Sequence, residues 1–125
     1  MLFRSGKVLR LGREQGVPLM FTIAQMSYWT AKHLGDMGLE SMKVRGRMQQ
    51  GMVADITIFD PEKVTDNATY KMGEQGLPTT GIPYVIVNGQ MVVKDSEFRK
   101  AWSAGQPIRF PVEARGRFVP ISVED

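Results

Sequence analysis

The residues able to do chemistry in this sequence are few and scattered. His33 is the only histidine and there is no cysteine, so neither a thiolate nor a pair of imidazoles exists to grip a metal. Beside His33 only Asp36 stands close enough along a helix to ligate with it, and a structural or surface histidine is the plainer reading. Asp55, Asp60, Glu62 and Asp66 form a loose acidic group, but the Asp-x-[Asp/Asn]-x-[Asp/Asn]-Gly order of a calcium loop is missing, which leaves them turn and cap roles. Ser27 and Ser41 have no histidine-acid pair arranged to activate a hydroxyl. Asn67-Ala68-Thr69 has the spacing of a glycosylation acceptor without a secretory signal to make it one. Gly46 and Gly51 invite comparison with a phosphate loop, yet Met52 and Val53 stand where Lys and Ser/Thr must be. On this reading no residue of the chain receives a catalytic, cofactor-binding or metal-binding role.

Charge and length narrow the classes further. The net charge is +3 over 125 residues, but through Gln50 eight Lys/Arg meet three Asp/Glu, whereas eight meet ten in the remainder. Arg4, Lys7, Arg10 and Arg13 recur every three residues and could line one side of a helix to attract phosphates; without interleaved aromatics a solvated helix face is the simpler account, and a nucleic-acid partner is not expected. Met20, Met26, Met37, Met42, Met48 and Met52 suit core filling, or an adaptable surface if a partner domain is missing. A (β/α)8 barrel needs about 250 residues, so none fits. No apolar run approaches the roughly 20 residues of a membrane helix, and the polar opening Met-Leu-Phe-Arg-Ser-Gly-Lys lacks a signal peptide's apolar stretch. A cytoplasmic location is expected.

The elements that must position these residues are legible in patches. Leu2 to Glu14 is loosely helical, though Gly6 and Gly12 weaken it. Leu19 to Leu34 carries a better stripe in Ile23, Met26, Thr30 and Leu34, with Pro18 suited to the first turn, Gly35 and Gly38 as stops, and Leu39 placed to fold back. Gly46 to Asp60 reads as a polar turn and then a strand whose two faces, Ile56/Ile58 and Thr57/Phe59, both ask for cover, so an interior position is expected. Lys63 to Thr80 should be a long surface connection with turns near Asp66-Asn67, Gly73 and Gly76. Tyr84 to Val93 forms a hairpin about Asn88-Gly89, which pairs Val87 with Gln90, Ile86 with Met91, Val85 with Val92 and Tyr84 with Val93. Phe98, Ala101 and Trp102 suggest a short helical turn, while Ile108-Arg109-Phe110 and Phe118 to Ile121 suggest edge strands or extended arms.

The segment Gly46 to Asp60 resembles the pattern G-x-[ILM]-x-x-G-x-x-A-D-[ILV]-x-[ILV]-x-D with which amidohydrolase-superfamily enzymes pass from their metal-bearing barrel into a small β-domain. The preceding helix, with Met26, Ser27, Ala31 and Leu34-Gly35, is similar to the closing barrel helix of the D-aminoacylase (N-acyl-D-amino-acid deacylase) family, whose text runs like A-x-x-[KR]-M-T-x-x-P-A-x-x-L-G. Ser27 replaces its threonine and Thr30 its proline. Asp66 to Tyr70, Thr80-Gly81-Ile82, Val87-Asn88-Gly89 and Gly105 to Glu113 resemble the same family, so the likeness covers nearly the whole chain.

That resemblance implies an α+β chain. Residues 1–45 would be barrel-flanking helices, and residues 46–125 the C-terminal strands of a small β-sandwich whose other strands precede the barrel. It also implies a zinc-dependent hydrolysis of an N-acyl-D-amino acid in the full-length protein, with the His-x-His pair, bridging ligand, later histidines and catalytic aspartate all lying before the matched region. Zinc is thus expected in the whole enzyme and no cofactor in this chain, which would be catalytically silent alone. Its partners would be the missing barrel and β-strands, or copies of itself. The alternative is a free-standing β-scaffold module that binds protein or nucleic acid.

Overall fold

The computed structural model describes residues 3–99 and 103–111, an α+β arrangement of three helices followed by a small antiparallel sheet. Helix α1 (Phe3–Glu14) turns Leu9 inward. Its two glycines, poor helix formers, sit where neighbours come close: a Cβ on Gly6 would lie 2.5 Å from Thr79 Cγ2, and one on Gly12 would lie 2.9 Å from Thr22 Oγ1. Close packing outweighs the propensity cost of about 1 kcal/mol per glycine.

The long helix expected over Leu19 to Leu34 is two helices, α2 (Leu19–Met26) and α3 (Tyr28–Asp36), with a break at Ser27 (φ −126°, ψ −68°). Ser27 Oγ donates to the Ile23 carbonyl at 2.8 Å, and its own N–H uses the same oxygen at 3.0 Å. Such back-bonding bends helices, and here it divides one. Helix α3 ends as expected at Gly38 (φ +96°): Gly38 N–H donates to Gly35 O, Leu39 N–H donates to Leu34 O, and Leu39 folds back to become buried. Gly35 is no stop but a buried residue inside α3, against Lys43. A short 3-10 turn (Glu40–Met42) then leads to Gly46 (φ +84°), where a Cβ would sit 2.5 Å from Ala31 Cβ and 2.9 Å from Ser27 O. The polar turn at Gly46 is therefore pressed into the break between α2 and α3.

Strands β1 (Ile56–Ile58), β2 (Tyr84–Val87), β3 (Gln90–Lys94) and β4 (Glu97–Phe98) pair antiparallel in that order. The strand after Asp55 is present, but it is an edge rather than an interior strand: its neighbour is β2, no second strand among the described residues reaches its other side, and Ile58 is 48% exposed. Asn88 (φ 48°) and Gly89 (φ 76°) both take the left-handed conformation that a two-residue I′ hairpin requires. The first two expected pairs hold, after which a bulge sets Val85 opposite Val93 and leaves Val92 as the extra residue of β3. In place of the helical turn expected at Phe98, a second tight turn at Asp95-Ser96 (φ 53° and 66°) folds β4 back on β3. Tyr84 Oη closes this turn by donating to Asp95 at 2.7 Å, which holds the phenol above its ordinary pKa. Ala101, Trp102 and Phe118 to Ile121 lie outside the described residues, and Ile108 to Phe110 joins no strand among them.

The centre of the molecule is not in the sheet. Leu9, Val64 and Ile82 form the buried cluster, with Ile23, Met26, Phe59 and Val85 packed around it. Val64, at 1% exposure, belongs to the irregular connection expected to be wholly at the surface. That connection is pinched at its base by the reciprocal Thr65 and Thr80 backbone bonds (3.1 and 3.0 Å) and turns at Gly73. Its expected Asp66-Asn67 turn is absent. No helix among the described residues is long and apolar enough to cross a membrane.

Candidate functional site

Two polar junctions carry most of the specific geometry. In the first, Asp55 Oδ1 accepts the Asn88 N–H at 2.8 Å, the Gly89 N–H donates to Ala54 O at 2.9 Å, and Asn88 Nδ2 donates to Ala104 O at 2.7 Å. Arg45 Nε donates to Asp55 Oδ2 at 3.2 Å. The Ala54-Asp55 pair thus grips the hairpin turn, which explains physically why an Ala-Asp strand entry and an Asn-Gly hairpin belong in one sequence. Each bond of this kind contributes about 1 kcal/mol, and leaving a buried donor unmet costs about 1–3 kcal/mol.

The second junction uses the spaced cations of α1. Arg10 Nε donates to Asp66 Oδ1 at 2.7 Å and its Nη1 to Glu14 at 3.0 Å, while Arg13 Nη1 donates to the carbonyls of Pro61 (2.8 Å) and Val64 (3.1 Å). Lys7 Nζ lies 5.9 Å from the Tyr70 ring centre. Hydrogen bonding to Arg10 holds the Asp66 carboxyl below the usual carboxylate range. Neither sequence account of Arg10 and Arg13 survives: they are neither a solvated face nor a phosphate-binding stripe, because the chain's own oxygens occupy them. No local signal marked this pairing, because Asp66 stands among other polar residues 56 positions from Arg10.

The other candidates are dispersed. His33 is exposed on α3, and Asp36, the acid that could have joined it, is paired with Lys32. Asp60 Oδ1 accepts the Glu62 N–H at 2.9 Å, a turn role that, with nearby Lys63, lowers its pKa. Ser27 spends its hydroxyl on a helix carbonyl, and Ser41 Oγ is buried with no partner. Among the described residues no three His, Cys, Asp or Glu side chains come together in a way that could hold a metal, so these residues do not fit a metal centre. The methionines divide: Met26 packs against the buried cluster as core filling, Met42 and Met52 are half-buried, and Met20, Met37 and Met48 are 71%, 52% and 84% exposed. A concave region of about 360 Å³ between α3 and the 42–47 turn is lined by Lys32, Lys43, Arg45 and Arg47 together with Asp36, Tyr28, Met42 and Gly35.

No protein-family model matches the sequence. A D-aminoacylase of Alcaligenes xylosoxydans xylosoxydans is 35% identical over 81 residues, which is 65% of this chain and 15% of that protein. A D-aminoacylase structure described for the functional role of its binuclear metal centre superposes with a TM-score of 0.69 at 33% identity. Another, described as defining a novel subset of amidohydrolases, gives 0.67 at 34%. Each likeness covers 81% of this chain and 20% of the solved one. The chain therefore spans between 15% and 20% of the enzymes that it matches, and in both fold and sequence it is similar to that part of D-aminoacylase-related amidohydrolases.

Proposed function

We propose that this chain is the C-terminal portion of a metal-dependent amidohydrolase that, at full length, hydrolyses a linear amide C–N bond as an N-acyl-D-amino-acid deacylase does, and that it is catalytically silent alone. The observation that carries the reading is the 0.69 superposition at 33% identity over 81% of the chain. In this reading residues 1–45 are helices from the end of the barrel, and residues 46–125 are strands of a β-domain completed by polypeptide from before it. In the same reading zinc and its ligands belong to polypeptide outside this chain, in a cytoplasmic enzyme. The uncovered apolar side chains support it: Met20, Phe21 and Trp29 on α2 and α3 and Ile58 on β1 are all exposed. The occupied state of Arg10 and Arg13 weighs against the alternative of a nucleic-acid module.

The test is the purified chain incubated with zinc and an N-acetyl-D-amino acid, with its size followed on a column. No product, and a dimer or larger species, is the expected result. Metal-dependent turnover by the chain alone overturns the silence, and a compact monomer overturns the missing partner.

A further inference from the structure

We infer that the cleft between α3 and the turn after the 3-10 segment is a binding site for a small phosphate dianion, whatever the parentage of the chain. Tyr28, Lys32 and the carboxylate Asp36 line it from α3, and Lys43, Arg45 and Arg47 from the facing turn, so four cations face one acid on its walls. The facing turn is anchored, since Gly46 between the two arginines sits in left-handed conformation against Ser27 O and Ala31. Arg45 is only 16% exposed and is held by Asp55 and the Ser41 carbonyl. Arg47 is placed by a neutral partner, Gln49 Oε1 at 3.2 Å, and by the Tyr28 ring 5.8 Å from its guanidinium carbon.

The local charge is unbalanced. Lys32, Lys43 and Arg45 each have one carboxylate, from Asp36, Glu40 and Asp55, whereas Arg47 has none among the described residues. Asp36 and Glu40 are 63% and 72% exposed, so their pairs with the lysines are weak and an incoming anion can draw the ammonium groups away at little cost. Concave walls focus the remaining positive field. Cations converging from two sides suit a tetrahedral oxyanion, whereas a planar carboxylate is met best by a single fork. The volume of about 360 Å³ leaves room for a modest organic group beside the phosphate, with Met42 and the Tyr28 ring as its apolar contacts.

Calorimetric titration of the chain with inorganic phosphate, against chloride at matched ionic strength, tests this. Saturable binding in the millimolar range is expected, weakened about fivefold or more in Arg47→Gln because a charge-assisted donor is lost. Arg109→Gln, which removes an exposed arginine outside the cleft, should bind as the parent does. Absence of saturable heat, parent-like binding by Arg47→Gln, or equal weakening by Arg109→Gln would each overturn the assignment.

Discussion

The junction between α1 and the irregular connection, set beside the four-stranded sheet, reverses the usual division of labour. The junction has almost no regular structure on its loop side, yet it contains Val64, Ile82, the Arg10–Asp66 pair and the carbonyls that hold Arg13. The sheet has full ladders and a well-formed hairpin, yet none of its strand residues is buried. Hydrogen bonding made the sheet's shape, but apolar burial, at about 25 cal/mol per Å², is what resists unfolding. In this chain the two have been separated. The connection is the keystone of the described residues, and the sheet leaves much of its side-chain surface in contact with solvent.

The largest expected effect comes from breaking the junction at Gly81. A Cβ there would lie 2.7 Å from both Val64 Cα and N, in a backbone at φ +81°. Gly81→Ala should cost about 3 kcal/mol or more, since strain and a backbone clash add. Gly89, at φ +76° in the hairpin with nothing within 4 Å of its Cβ position, provides the contrast. Gly89→Ala should cost only about 1 kcal/mol, the left-handed penalty alone. Urea unfolding of both variants checks the ranking, and similar losses would dissolve the distinction between the two regions.

A middle-sized effect sharpens the comparison through pH. Asp66 is held below the usual carboxylate range chiefly by Arg10, so its contribution is fully present above the unfolded value, about 4, and is lost as the pH falls through the lower folded value. Asp66→Asn should therefore destabilise the chain more at about pH 6 than at about pH 3. Urea midpoints at the two pH values give the answer. A gap between parent and variant that does not change with pH would show that the pair contributes only through packing.

How much of this was legible follows from how local each feature is. The helices, the Gly38 stop with Leu39 folded back, and the Asn88-Gly89 hairpin depend on residues within one turn of each other, and the sequence shows them. The break at Ser27 needed the knowledge that its hydroxyl turns to Ile23 O rather than to solvent. Val64 looked like loop because its neighbours lack periodicity, and only the fold brings α1 over it. Arg10 was read as a surface cation because its partner Asp66 lies 56 residues away. The turn at Asp95-Ser96 escaped because serine rarely takes φ > 0. For the candidate site, the absence of metal-ligand spacing was plain from one histidine and no cysteine, whereas the cleft joining Lys32 to Arg47 depends on the 3-10 turn and could not be seen.

The smallest effect on stability concerns the sheet and is the one most specific to it. Ile58 on β1 pairs with Tyr84 through the backbone, but it is 48% exposed, so only about half of its surface leaves water on folding. Ile58→Thr keeps a β-branched residue in the strand and should cost less than about 1 kcal/mol, since the lost apolar group is only half-buried. Self-association should respond instead, because an apolar edge with unpaired backbone groups is what a second chain would cover. Sedimentation at several concentrations separates these outcomes. A weaker dimer with a little-changed urea midpoint would place the sheet's apolar surface at an intermolecular contact. A large loss of midpoint with no change in size would mean that β1 is already covered within a single copy, and the contrast between core-bearing loop and open sheet would fail at the residue chosen to represent it.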